Sequence, residues 1–255
     1  MTPSTDTAQP AGGPTDFARR SPLYREHLAA GATHMPLGGG AGVATYGRTP
    51  EAEAETAREL GLADLSLLSR TGFKGWHALA WLREQGIAVP EANNRAGSLA
   101  GGGFAARLAD TELLLTGSLD GAADTFDGLL AALGEAKPSG VYPVPRSDGS
   151  AWLTMTGRHA PSCMAKLCGV DLRSKKFPEG CVAQTSVARL NAVVVRADLG
   201  SVFALHLFFD SASAGYFWRC LVDAAAEYRG APVGVLALRR LAAEVTPATG
   251  RTGDG

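Results

Sequence analysis

The alternation of apolar and polar positions predicts short strands, hairpins and amphipathic helices in the first half of the chain. These elements follow one another through short connections, as in α+β folds that have antiparallel sheets and flanking helices. In order, the predicted features are a helix at 51–60, a strand at 64–69, a Thr-Gly pair at 71–72, a helix at 74–85, a hairpin at 101–116 and a helix at 122–133.

The second half repeats this order of elements. It contains a predicted strand at 151–155, a Thr-Gly pair at 156–157, a helix at 160–168, a strand pair at 182–196 and 202–209, and a helix at 214–228. Leu82 and Leu167 stand at the same offset after the two Thr-Gly pairs, and an Ala-Arg-Leu triplet opens each strand pair, at 106–108 and 188–190. The same order of elements in both halves indicates an internal duplication. The sequence therefore predicts two related modules with a binding surface or cleft between them.

Proline and glycine content sets the predicted domain boundaries. The segment 137–149 holds three prolines and two glycines, which is typical of a linker. The predicted organisation is a disordered tail at 1–20, a first α+β module at 21–136, a linker at 137–150, a second α+β module at 151–245 and a disordered tail at 246–255.

The charge and composition of the chain exclude several classes of partner. With a formal net charge of −1 and no run of Lys or Arg, the chain lacks the basic patch that binds nucleic acid or anionic membranes. No apolar run approaches the roughly 20 residues of a membrane-spanning helix. Residues 1–16 also lack the basic and apolar regions of a secretory signal. We therefore expect a cytoplasmic protein that binds neither nucleic acid nor membrane.

The four cysteines show neither a CxxC pair nor a spacing typical of metal sites. His159 and Cys163 are four residues apart on a predicted helix, which would suit a metal or a thiol–imidazole pair. A zinc site needs at least three protein ligands, however, and no third ligand lies nearby in the sequence. We expect all four cysteines to be reduced and unligated, and we assign no metal site.

Two glycine-rich segments lack the pattern of nucleotide-binding loops. A dinucleotide-binding loop at 38–42 would need a further glycine at position 43 or 45, and these positions hold Val43 and Thr45. No strand is predicted before this cluster and no helix directly after it, so we interpret it as a loop. The glycines at 101–103 precede a predicted strand and are interpreted as a turn.

No pattern of side chains predicts acid–base or nucleophilic catalysis. The five histidines are scattered singly, and no G-x-S-x-G motif is present. His206 lies in an apolar strand and is expected to be a core or edge histidine rather than a general base. Asp110 and Glu112 fall at a predicted turn, where solvent exposure is expected. The sequence therefore identifies no catalytic residue, and the cofactor-binding residues stay unknown.

The predicted helix at 214–228 has an apolar face. Phe217, Leu221, Ala224 and Tyr228 recur at helical spacing on this face. Such a face could line a cofactor site, but no polar group interrupts it. We therefore expect these side chains to pack in the core.

Seven segments, spread over about residues 21–241, carry a family resemblance. They are SPLYREHLAAGA, PLGGGAGVATYG, ARELGLADLSLLSRTGFKGWHALAWL, YPVPRSDGSAWLTMTGRHAP, MAKLCGVDL, VAQTSVARLNAVVVR and FFDSASAGYFWRCLVDAAAEY. The chain resembles in them the aminomethyltransferase (T-protein) superfamily, and more specifically the gamma-subunit branch of heterotetrameric sarcosine oxidases. The runs at 183–191 and 210–218 are the most specific parts of this resemblance.

The resemblance implies a fold, an activity and a set of partners. The implied fold is the T-protein-like folate-binding fold. The implied activity is oxidative demethylation of sarcosine to glycine by a complex with alpha, beta and delta subunits, with transfer of the one-carbon unit to tetrahydrofolate. FAD, FMN, NAD and zinc are implied for the other subunits, and no cofactor is implied for this chain.

The sequence departs from the T-protein pattern in two places. T-proteins carry an Asn-Asp pair after the first Thr-Gly helix, with the aspartate as their catalytic residue, whereas residues 84–89 hold no carboxylate past Glu84. T-proteins also continue into a C-terminal barrel beyond the segment that matches residues 232–239. These departures favour a gamma subunit with an assembly role over independent aminomethyl transfer.

Two alternatives stay open at this point. The chain could be a stand-alone folate-binding protein of the aminomethyltransferase type. It could also be the same subunit of an oxidase for another N-methyl amino acid, because substrate choice is implied for the flavin-bearing partner.

Overall fold

The computed structural model describes residues 13–244. The α-helices in this range are α1 Tyr24–Ala29, α2 Pro50–Leu60, α3 Ala78–Glu84, α4 Asp127–Ala136, α5 Ala160–Met164, α6 Ala214–Ala226 and α7 Val235–Ala243. The strands are β1 Arg19–Arg20, β2 Thr33–Leu37, β3 Gly40–Thr45, β4 Gly61–Asp64, β5 Arg70–Lys74, β6 Arg95–Ser98, β7 Phe104–Ala109, β8 Glu112–Thr116, β9 Tyr142–Pro145, β10 Ser150–Thr156, β11 Val182–Val187, β12 Leu190–Arg196, β13 Ala204–Asp210 and β14 Ala231–Pro232.

The strands form three sheets, and most pairs within them are antiparallel. A small sheet has the order β1-β3-β2, a second sheet has the order β6-β7-β8-β5-β9, and a third has the order β11-β12-β13-β10-β4-β14. Only β1 with β3 and β14 with β4 pair in parallel among the described residues. The predicted α+β class with antiparallel sheets is therefore confirmed, and no sheet in residues 13–244 closes into a barrel.

The five-stranded and six-stranded sheets pack face to face, and helices cover their outer faces. Trp152 and Phe208 of the six-stranded sheet stack with ring centroids 5.3 Å apart. Phe104 of the five-stranded sheet meets both rings edge-on, at 6.2 and 6.1 Å. On the outer face, Phe217 of α6 stacks on Phe209 at 3.9 Å. This arrangement gives a layered molecule with a central core between two sheets.

The predicted duplication is confirmed by the strand order. The five-stranded sheet contains β6-β7-β8-β5 and the six-stranded sheet contains β11-β12-β13-β10, which is the same order for the corresponding strands. Helix α3 follows β5 and helix α5 follows β10, while α4 and α6 close the two units.

Backbone hydrogen bonds relate the two copies residue by residue. Gly75 follows β5, and Gly157 follows β10 82 positions later. Each glycine donates its backbone N–H to a carbonyl of a neighbouring strand or turn at 2.8 Å. The amides of His77 and His159 then donate to matching carbonyls at 3.2 and 3.1 Å. The counterpart of Leu82 is therefore Met164, and both side chains are fully buried.

The predicted equivalence of Leu82 and Leu167 is wrong by three residues. Helix α5 ends at Met164, so Leu167 lies in the turn that follows the helix. The error arises because the Thr-Gly pairs are not equivalent. Gly72 lies within β5, whereas Gly157 comes after β10 has ended.

The two Ala-Arg-Leu triplets are also not equivalent. Arg107 lies within β7, whereas Ala188 and Arg189 form the two-residue turn between β11 and β12. Both turn residues have positive φ, 48° and 66°, as a hairpin turn of this length requires.

Several predicted boundaries shift in the structure. The run at 64–69 is not one strand, because Asp64 ends β4 and residues 65–69 form the turn between β4 and β5. The predicted tail at 1–20 includes β1, which pairs with β3, and the predicted linker at 137–150 includes β9. Residues 1–12 and 245–255 lie outside the described residues. The hairpin at 101–116 and the helix at 51–60 match β7–β8 and α2 closely.

The apolar face of the predicted helix at 214–228 packs in the core, as expected. Phe217 and Leu221 are fully buried, Ala224 is buried, and Tyr228 packs half-buried against the same cluster. Helix α6 itself ends at Ala226. Among the residues that the structure describes, no helix combines the length and apolar character that crossing a bilayer requires.

The two copies exchange a strand. Strand β4, which precedes β5 in the chain, pairs with β10 of the other sheet. Strand β9, which precedes β10, pairs in turn with β5. Each sheet is therefore completed by a strand from the opposite half, and we propose that the two repeats do not fold as separate domains.

Arg70 binds the two connections that cross at this exchange. Its guanidinium donates to the carbonyls of Ser66 and Leu68 in the β4–β5 connection, at 2.8 and 2.9 Å. It also donates to the carbonyl of Ser147 in the β9–β10 connection, at 2.8 Å, and to that of Ser150. Burial lowers the pKa of Arg70 to about 10, so the side chain stays charged at neutral pH.

We expect Arg70→Ala to lower the free energy of unfolding by about 3 kcal/mol, because it leaves several buried carbonyl groups without a donor. The measurement is chemical denaturation followed by circular dichroism. Arg158→Ala is the matched control, since Arg158 forms an exposed ion pair with Glu59 and its loss should cost less than about 1 kcal/mol. Equal losses for the two variants would contradict a special role for Arg70.

Candidate functional site

Two clefts open between the two large sheets. The larger has a volume of about 510 Å³ and is lined by polar side chains such as Arg146, Gln184 and Asn191. The smaller, which we call the His206 cleft, has a volume of about 390 Å³. It is lined by Phe104, Trp152, His206, Arg239, Asp120 and Glu179, together with the turn at 102–103. Both volumes lie in the range of small-molecule sites.

The turn at one wall of the His206 cleft needs glycine because of its backbone conformation. Gly102 and Gly103 have φ values of 85° and 73°. A Cβ atom on Gly103 would lie 2.1 Å from the carbonyl oxygen of Thr116, so only glycine fits there. The interpretation of 101–103 as a turn is thus confirmed. The interpretation of 38–42 as a loop is right only for Gly38 and Gly39, which form the β2–β3 turn, because residues 40–42 belong to strand β3. Strand β2 also precedes the cluster, contrary to expectation.

His206 is held by hydrogen bonds at both ring nitrogens. Trp152 Nε1–H donates to Nδ1 at 3.1 Å, and the hydroxyl of Thr154 lies 3.0 Å from the same atom. Since an indole N–H can only donate, Nδ1 must accept and Nε2 must carry the proton. Nε2 donates to the carbonyl of Ala197 at 3.0 Å.

This arrangement keeps His206 neutral. Burial lowers the pKa of His206 to about 4, because a charged imidazolium would lose its hydration in the core. A second proton on Nδ1 would also face the N–H of Trp152. His206 is therefore a core histidine, as expected, and it has no free nitrogen to act as a general base.

The charged groups around the His206 cleft are mostly engaged by the protein itself. Arg239 donates to the carbonyls of Leu119 and Asp120 at 2.9 and 3.0 Å. Asp198 is paired with Arg196 at 2.8 Å, and both side chains are largely buried. The cleft can thus provide aromatic surface and a cation to a ligand, but its geometry brings no acid–base pair together.

A buried network on the other side of the molecule contains the residue types of a hydrolytic triad. His27 Nε2 lies 2.8 Å from Asp64 Oδ2, and the hydroxyl of Ser21 donates to the same oxygen. The hydroxyl of Tyr46 lies 2.8 Å from His27 Nδ1. Here the carboxylate stands between serine and histidine, so His27 makes no hydrogen bond to Ser21 and cannot activate it by one.

The network is structural. Burial raises the pKa of Asp64, but hydrogen bonds from His27, Ser21 and the Ser66 amide outweigh that effect and hold the pKa below its usual value. The side chains of His27 and Asp64 are almost completely inaccessible to solvent. The network ties α1 to the end of β4. Sequence reasoning missed it because His27 and Asp64 belong to no local motif.

The remaining residues singled out from the sequence do not converge. His159 stacks on Tyr228 at 5.3 Å, while Cys163 is buried and burial raises the pKa of its thiol to about 11. Asp110 is exposed and paired with Arg107, so the expected solvent exposure is confirmed for this carboxylate. Glu112 is instead half-buried on β8 and paired with Arg146 at 2.7 Å.

The described residues offer no metal site. Within residues 13–244, no group of three or more His, Cys, Asp or Glu side chains could hold a metal ion. Cys163 and Cys168 are buried, and Cys181 and Cys220 are half-buried.

The described residues form a duplicated α+β scaffold with clefts between its two large sheets. The family model of the GCVT N-terminal domain matches residues 23–248. The chain therefore belongs to the GCVT N-terminal domain family. None of the curated proteins matches the chain in sequence.

Solved structures that share the fold include an oxidase and an aminomethyltransferase. One is heterotetrameric sarcosine oxidase from Corynebacterium sp. U-96 in complex with pyrrole 2-carboxylate, with 20% identity and a TM-score of 0.61 over 84% of this chain and 97% of that chain. The other is the glycine cleavage system aminomethyltransferase T from Bartonella henselae, with 18% identity and a TM-score of 0.69. It is matched over 87% of this chain, which spans only 61% of the aminomethyltransferase.

We expect the free energy of unfolding to fall by about 3 kcal/mol as the pH is lowered from about 6.5 to about 4. The native His206 stays neutral over this range while the unfolded chain takes up the proton, so acid favours unfolding. Urea denaturation across this range measures the effect.

His206→Gln should remove this pH dependence, because glutamine keeps a hydrogen-bonding side chain that does not titrate. The half-exposed His159 provides the control, and His159→Gln should retain it. An unchanged pH profile in His206→Gln would contradict the assignment of a buried neutral imidazole.

Proposed function

We propose that this chain is the gamma subunit of a heterotetrameric sarcosine oxidase-type complex, which oxidatively demethylates sarcosine to glycine. The observation that carries the proposal is the extent of the fold match. The chain accounts for 97% of the sarcosine oxidase chain but for only 61% of the aminomethyltransferase. The shared fold thus covers nearly the whole of the oxidase chain and about three-fifths of the aminomethyltransferase.

The proposed role is assembly rather than chemistry. Both nitrogens of His206 are engaged, and the Ser21–His27–Asp64 network is buried in an order that cannot activate the serine. We propose alpha, beta and delta subunits as the partners, in the cytoplasm. FAD, FMN, NAD and zinc would be held by those subunits, and tetrahydrofolate would accept the one-carbon unit in the complex.

A second candidate is a stand-alone folate-binding protein of the aminomethyltransferase type. The His206 cleft favours it, because aromatic side chains and Arg239 suit a planar ligand that carries a carboxylate. A third candidate is the same subunit of an oxidase for another N-methyl amino acid. Purification distinguishes the first two candidates. The gamma subunit should purify in a yellow complex of several chains, and the stand-alone protein should purify as a colourless active monomer.

The test is to purify the chain alone and together with candidate alpha, beta and delta subunits, and to measure sarcosine-dependent peroxide formation. We expect the lone chain to bind no flavin and to show no turnover. Omitting it should prevent assembly of a stable, active complex. Turnover by the lone chain, or a fully active complex assembled without it, would contradict the proposal.

A further inference from the structure

An exposed aromatic pair lies at the edge of the five-stranded sheet. The indole of Trp76, in the β5–α3 connection, is 85% exposed, and the phenol of Tyr142, on the edge strand β9, is 63% exposed. A Cβ atom on Gly75 would lie 3.3 Å from the Tyr142 ring, so that ring lies directly beside the residue preceding Trp76. The other three tryptophans are buried. We call Trp76, Tyr142 and the adjoining prolines of β9 the edge patch.

The duplication supplies a comparison for this patch. The strand that corresponds to β9 in the other half is β4, and β14 covers its outer edge by parallel pairing. Strand β9 is the last strand of its sheet in the described part of the chain. The position that corresponds to Trp76 is Arg158, which is paired with Glu59 of its own chain. One edge of the duplicated scaffold is thus covered internally, while the other presents aromatic side chains.

The edge patch is unsuited to the addition of another strand. Strand β9 has the sequence Tyr-Pro-Val-Pro, and its two prolines, Pro143 and Pro145, have no N–H to donate. Proteins use such prolines to prevent edge-to-edge association. A partner must therefore dock through the side chains.

The charges beside the patch favour an acidic partner. Lys74 and Arg146 flank β9, and among the described residues both pair with the carboxylate of Glu112. Two cations beside the aromatic pair therefore share one carboxylate, which leaves one positive charge uncompensated.

We propose that the edge patch is the surface by which this chain docks onto a partner subunit, with Trp76 inserted into an apolar socket that carboxylates surround. The inference rests on the proposed function, because it takes the partner from the oxidase complex. Aromatic side chains that enter such sockets dominate the binding energy of protein interfaces. The positive rim would accelerate association and make it depend on salt concentration.

The experiment compares the wild-type chain with Trp76→Ala, Tyr142→Ser and Leu28→Ala in assembly with the candidate oxidase subunits. Leu28 is an exposed apolar residue on α1 and serves as the control. We expect Trp76→Ala to weaken assembly about 30-fold, as for a central interface tryptophan. Leu28→Ala should assemble normally. Thermal unfolding of each variant alone should be unchanged, since Trp76 is exposed.

Fluorescence gives a second readout that does not depend on activity. Trp76 is the one exposed tryptophan of the chain, so acrylamide should quench the free chain through it and quench much less in the complex. The fluorescence of the partner's tryptophans is subtracted by measuring the same complex with the Trp76→Phe variant.

The outcomes separate this inference from the proposed function. If the wild-type chain fails to assemble with any oxidase subunit, the proposed function is wrong. If it assembles and Trp76→Ala assembles equally well, the docking surface lies elsewhere and only this inference fails. Self-association of the lone chain that Trp76→Ala abolishes would also overturn it, in favour of a second copy of this chain as the occupant.

Discussion

Each of the two large sheets contains a strand that belongs to the opposite half of the repeat, and this exchange positions the rest of the molecule. Strand β4 completes the sheet of β10, and β9 completes the sheet of β5. The two connections that cross between the sheets are held by four carbonyl contacts to Arg70. A guanidinium suits this place because its several donors lie in one plane and its charge strengthens each bond. The exchange also brings the sheets face to face and so creates the clefts between them.

The two halves keep the same strand order, so the scaffold is symmetric. The side chains at corresponding positions have diverged, so the chemistry of the two halves is different. The residue that corresponds to Arg70 is Trp152, which lies in the central core and donates to His206. The residue that corresponds to Trp76 is Arg158, which binds Glu59. At these two positions the second half thus has a buried indole and a paired guanidinium, while the first half has a buried guanidinium and an exposed indole. The two halves share one strand framework and carry different side chains at corresponding positions.

Local patterns in the sequence predicted the elements whose causes are local. The hairpin at 101–116 follows from alternation and a turn, and the apolar face of α6 follows from helical spacing. The apolar run at 64–69 has the composition of a strand, but Leu65 and Leu68 are buried by the exchange rather than by strand pairing. The His27–Asp64 pair and the role of Arg70 depend on contacts between distant parts of the chain. Neither could be predicted from spacing, and the absence of a catalytic motif left the clefts without assigned residues.

Native-state hydrogen exchange of the isolated chain tests most directly whether the two halves form one interlocked unit. Amides in β5 and β10 report on the two sheets separately. If the exchanged strands couple the sheets, both sets of amides should exchange through the same global opening and give the same free energy. Denaturant should lower the two values in parallel. Amides of one sheet that exchange with a clearly lower free energy than those of the other would show that the halves unfold independently, and would contradict the account.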